Sequence, residues 1–141
     1  MSAELELFFK KNHKNTENVK LAVTADLCDK DGKPLEWEIR KLNTREVQAL
    51  TKECVTTRQV GKKLVPTVDD ELFSKKMMAE SVVFPDLNNA DLQDSYGVKT
   101  PEALIVEMIS TPGDFMAFAE FLMNLNNINK TLEERVNEAK N

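Results

Sequence analysis

The side chains in this sequence that could carry chemistry are few and scattered. His13 is the single histidine, set in a polar stretch among Lys10, Lys11 and Lys14, and reads as a surface imidazole rather than a catalytic base. The two cysteines, Cys28 and Cys54, lie far apart and form no CxxC pattern. With one histidine, no Ser-His-Asp triad, Cys-His pair or zinc set can be assembled, and both cysteines read as free thiols. One stretch tempts a calcium reading. With Gly32 at the sixth position of a ligating loop, Asp29, Asp31 and Glu38 fall at the third, fifth and twelfth. The first position is then Leu27, which offers no side-chain oxygen, and the flanks alternate like strands rather than helices, so the stretch is a hairpin turn. Asp86, Asp91 and Asp94 cluster in sequence but suit solvated caps and turns. The expectation is a protein that is not an enzyme and uses no metal or cofactor.

Charge narrows the partners. Nineteen Lys and Arg against 24 Asp and Glu give a net charge of −5. Neither small basic group (Lys10, Lys11 and Lys14, or Arg58, Lys62 and Lys63) is interleaved with aromatics, so nucleic acid and anionic membrane are poor partners. No apolar run approaches the roughly 18 residues of a membrane span, and with no leader the chain reads as cytoplasmic. At 141 residues it fits one domain, expected over 1–127, with a polar tail over 128–141.

The elements that must position these residues follow from periodicity. Leu5, Phe8 and Phe9 suit one or two helical turns, with the adjacent rings expected to dock on the domain's own core. From Val19 the period becomes two, and Val19, Leu21, Val23 and Ala25 share one face. Leu35, Trp37 and Ile39 share another, so an antiparallel hairpin follows across the Cys28–Pro34 turn. Asn43 with Glu46 forms a capping box for a helix carrying Val47, Leu50 and Cys54. That helix is expected to fade at Thr56–Arg58, with an exposed polar loop over Gly61–Pro66. Thr67 with Asp70 then starts a helix whose Leu72, Phe73, Met77 and Met78 point inward.

A rigid corner is expected at Ser81–Gly97. Pro85 disfavours helix at Phe84, Asn88 or Asn89 caps a short helix, and Gly97 closes it. Phe84, Leu87, Leu92 and Tyr96 are expected to tie that corner to the core. Two further helices begin at Thr100-Pro101 and Thr111-Pro112, each expected to place a capping threonine before proline at the first helical position. The second carries Phe115, Met116, Phe118, Phe121, Leu122, Met123 and Leu125. Its apolar residues cover more than the roughly 100° arc that a surface helix buries. Either it is a central core helix, or part of it faces another polypeptide, for which Phe and Met are well suited. The fold class is α+β: a small antiparallel sheet near the N-terminus covered by about five helices.

The stretch Ser-Val-Val-Phe-Pro-Asp-Leu-Asn-Asn-Ala-Asp-Leu-Gln-Asp-Ser-Tyr-Gly-Val from Ser81, with the upstream Gly-Lys-Pro-Leu-Glu-Trp-Glu-Ile-Arg-Lys-Leu from Gly32, resembles the XkdN-like family of phage tail assembly chaperones. The resemblance runs from about Phe8 to about Ile128. It implies a phage or prophage protein that binds the tape measure protein, keeps it soluble, and helps recruit tail tube subunits. It also implies absence from the finished virion. Many such chaperones exist in a second, frameshifted length, and Ala139-Lys140-Asn141 can be encoded by a slippery run of adenines. Self-association is left open. The rivals are a permanent tail component and an acidic regulatory adaptor.

Overall fold

The computed structural model describes residues 3–14 and 16–128, so the expected tail lies outside the described residues except for Ile128. The architecture is α+β, as expected. In chain order it comprises α1 (Ala3–Glu6), β1 (Val19–Leu21), β2 (Trp37–Ile39), α2 (Thr44–Glu53), β3 (Val55–Val60) and β4 (Lys63–Val68). These are followed by α3 (Asp70–Ser81), β5 (Val82–Phe84), α4 (Ala90–Ser95), α5 (Pro101–Met108) and α6 (Pro112–Leu125). Among the described residues no helix is long and apolar enough to cross a membrane.

The central sheet has the order β1-β2-β5, antiparallel throughout. The expected hairpin is present, with Val19 opposite Ile39 and Leu21 opposite Trp37. Its first strand stops at Leu21 rather than running to Ala25, although Val23 and Thr24 beyond it are buried. The third strand was not anticipated. Val82–Phe84 follows α3 without a break and adds to the free edge of β2. Glu38 faces Phe84 but Ile39 faces Val82, so Val83 is an extra residue that bulges the edge.

Period two aims Trp37 and Ile39 at one face, where both are buried. Onto that face pack Met77 and Met78 of α3, Leu104, Ile105 and Met108 of α5, and Phe118 and Leu122 of α6. Trp37 meets Phe118 edge to face, ring centres 6.4 Å apart at 66°, a geometry aromatic quadrupoles favour.

Helix starts follow the capping chemistry. Asn43 and Glu46 form the reciprocal capping box of α2, each side chain accepting from the other residue's backbone N–H. Asn89 caps α4 and Thr100 caps α5. Thr111 behaves differently: its hydroxyl donates to Asp26 at 2.5 Å instead of capping α6. Thr24 donates to Asp114 at 2.9 Å, so two polar contacts fasten the start of α6 to the segment after β1. At its other end the Asn126 Oδ1 accepts from the Leu42 N–H at 2.8 Å.

Residues 55–68 correct the sequence reading. Neither a fading helix at Thr56–Arg58 nor a loop at Gly61–Pro66 is present; both belong to a two-stranded ribbon, β3 and β4, in register from Val55–Val68 to Val60–Lys63. Its two-residue turn has Gly61 at φ +64°, the left-handed value that the first central position of a type II′ turn requires. Every residue of both strands is exposed. The helix after it begins at Asp70, capped by Asp69, whose carboxylate accepts from the Leu72 N–H, and not at Thr67. Phe8 and Phe9 are also not docked as expected. Phe8 is 85% exposed, and α1 with the 3-10 turn Lys10–Asn12 buries no residue.

Candidate functional site

The corner expected at Ser81–Gly97 forms, and it does more than turn the chain. The Phe84–Pro85 bond is cis, Asn89 caps α4, and Gly97 closes it at φ +70°. Leu87 is fully inside the core. Phe84 is not: it is 64% exposed, because the bulge at Val83 pairs it with Glu38 and so turns its ring to the face opposite the buried Ile39. Pro85, Leu92 and Tyr96 are half-buried.

These four side chains form one wall of an open cleft of about 230 Å³, completed by Leu27, Leu35, Glu36, Trp37 and Met108. Its lining is almost wholly apolar, with Glu36 the single charged member. Leu35 and Phe84, both exposed, leave apolar surface of this cleft open to solvent. A concave apolar surface with a charged border can accept a large apolar side chain from another polypeptide, with no group positioned for bond making. Asp86, Asp91 and Asp94 are exposed beside this corner. Asp86 accepts from the Asn88 N–H and serves the turn.

The α6 residues divide. Phe118 and Leu122 are buried; Phe115, Phe121, Met123 and Leu125 are half-buried against the core. Met116, 70% exposed, is the one large side chain of the set that faces outward. Ala117, Phe118 and Phe121 border a shallow hollow of about 100 Å³ against Leu21, Ala22 and Val23. Asp29, singled out in the calcium reading, accepts the Asp31 and Lys33 N–H groups at 2.9 Å each and so builds the hairpin turn.

The charged contacts that are well formed lie away from the cleft and serve the scaffold. Arg40 forks onto Glu46 at 2.7 and 3.1 Å, and its hydrogen bond to that carboxylate raises the guanidinium pKa further. Lys76 sits between Glu53 and Glu102, at 3.4 and 3.6 Å. Burial alone would lower its pKa, but the two carboxylates together raise it. The Cys54 thiol is pushed up by burial, which keeps it protonated and unreactive. The cleft was missed in the sequence because its walls come from five separate segments. The signal that could have found it was Phe84, an aromatic residue on a strand too short to be covered.

Among the described residues the best-defined concave surface is this apolar cleft, shaped to take an apolar group rather than a charged one. The chain matches, over residues 5–140, the family model described as phage XkdN-like tail assembly chaperone protein, and it belongs to that family. It is similar to the phage-like element PBSX protein XkdN of Bacillus subtilis (strain 168), 24% identical, covering 98% of this chain and 94% of that protein. It is also similar to the uncharacterized protein YqbN of the same strain, 22% identical over 98% and 93%. The crystal structure of the protein YqbN shares the fold, with a TM-score of 0.72 at 17% identity, covering 90% of this chain and 98% of that one.

Proposed function

We propose that this tail assembly chaperone binds the tape measure protein in the host cytoplasm, through apolar side chains of client helices seated in the corner cleft. The observation that carries the reading is the cleft itself: a nearly uncharged hollow walled by Phe84, Pro85, Leu92, Tyr96 and Trp37. Amphipathic helices present such side chains at regular spacing, and a hydrophobic groove accepts them. The net charge of −5 keeps a loaded complex dispersed. The chaperone also brings tail tube subunits to the client, through this chain or a frameshifted longer form, and is absent from the completed virion.

Phe84→Asp tests the client site, because that ring is 64% exposed and its loss leaves the core intact. Capture of co-expressed tape measure protein falls about thirtyfold or more, the equivalent of about 2 kcal/mol of lost apolar burial. Met116→Asp, on α6, leaves capture unchanged. The opposite pattern would move the client to the α6 surface formed by Met116, Phe121 and their neighbours. Mass spectrometry of purified particles that detected the protein at stoichiometric amounts would instead make it a tail component.

A further inference from the structure

The same cleft has a candidate occupant within this sequence. Leu7 and Phe8 are 73% and 85% exposed, an apolar arm left uncovered on its own domain. His13, Lys14 and Thr16, at the root of that arm, border Arg40–Asn43, just past the end of β2. The cleft lies at the opposite end of β2, around Leu35–Trp37. The root of the arm and the cleft therefore sit at opposite ends of one strand, an arrangement suited to exchange between molecules.

Charge pairs them further. The positive charge of the arm lies on the C-terminal side of its rings, at Lys10, Lys11 and Lys14, while Glu4 and Glu6 of α1 lie on the other side and Glu17 follows. From Val82 to Val98 the chain carries Asp86, Asp91 and Asp94 and no base. The lysines directly follow the Phe8-Phe9 pair, and the aspartates flank Pro85 and Leu92 of the cleft wall. A ring seated between Phe84 and Tyr96 would bring Lys10 and Lys11 against those carboxylates.

We propose that the corner cleft receives the Phe8–Phe9 arm of a second copy of this chain. Two copies that each donate one arm and one cleft close a two-fold dimer with nothing left over. If the client also uses the cleft, arm and client compete, and the dimer is a resting form that keeps the apolar surface covered. The self-association itself needs no client, so its failure is separable from failure of the client reading.

The test is sedimentation equilibrium of the full chain alone. The wild type dimerises, and raising salt from about 50 mM to about 500 mM weakens it as the lysine–aspartate attraction is screened. Phe8→Asp and Phe84→Asp, both at exposed positions, each weaken association about thirtyfold or more. Mixing the two variants restores a pair joined by one intact arm and one intact cleft. Lys10→Glu with Lys11→Glu touches no buried residue and also weakens the dimer, while Asp91→Lys with Asp94→Lys on the partner restores it. A wild type that stays monomeric overturns the proposal. So does a Phe8→Asp variant that dimerises like the wild type, or a mixture no better than its components.

Discussion

Arg40 shows how much of this fold a single side chain can fasten. Its Nε donates to the Glu80 carbonyl at 3.1 Å, and its guanidinium grips Glu46 and, more loosely at 3.5 Å, the Glu80 carboxylate. One residue past β2 is thereby held to the start of α2 and the end of α3. The hydrogen bond from Arg40 lowers the Glu46 pKa, against the opposing effect of burial, and the Asn43 N–H adds to it. A carboxylate lowered in the folded state stabilises it above the ordinary glutamate range, and that contribution is lost as pH falls through the lowered value. Arg40→Met should therefore cost about 1 kcal/mol near neutrality, the scale of a partly exposed ion pair. It should also flatten the loss of stability below about pH 4.3, the ordinary glutamate value. Urea titrations across that range check both. The Asn43–Glu46 box was readable beforehand because capping is local, fixed by residues three apart. The bond from Arg40 to the Glu80 carbonyl was not, since Glu80 is 40 residues away and proximity came only with the fold.

At the scale of elements, the β3–β4 ribbon is the clearest departure from the sequence reading. Half-buried strands announce themselves by alternation, and this ribbon has no buried face to impose it. What remained was β-branched enrichment (Val55, Thr56, Thr57, Val60, Val65, Thr67 and Val68) around Gly61, a weaker signal. The Asp69 N–H donates to the Cys54 carbonyl at 2.8 Å, so that pair is hydrogen-bonded. Alternation then makes Val55–Val68, Thr57–Pro66 and Gln59–Leu64 the pairs whose backbone groups point outward. Pro66 thus sits where its missing N–H breaks the outer edge of β4, guarding it against another strand. Because Cys54 and Asp69 already meet, replacing residues 55–68 by a short Gly-containing turn should leave the domain folded. Its urea midpoint should correspond to a stability within about 1 kcal/mol of the intact chain, as for changes that remove no buried group. A larger loss would mean that the ribbon supports the core.

Across the whole molecule, what could be read in advance was what local chemistry or a buried face dictates: the β1–β2 hairpin, the starts of α2, α4, α5 and α6, the inward methionines of α3 and the proline corner. What could not be read was how edges and termini are covered, because that depends on surfaces meeting at long range. Phe8 and Phe84 are both aromatic and were both assigned to the interior, yet both stand out from it. Hydrogen exchange should follow the same division. The slowest amides are expected in β2, α3 and α5, around Trp37, Met77 and Ile105, and the fastest in the arm and the ribbon. Mass spectrometry of exchanged peptides will show whether that ranking holds. The fastening of α6 has a further consequence, for the order of synthesis. Thr24, Asp26 and Leu42 wait for partners at Asp114, Thr111 and Asn126, and Trp37 waits for Phe118. A ribosome delivers those partners late, so the β1–β2 hairpin must travel through translation with its tryptophan unroofed on that side until α6 arrives to shut it.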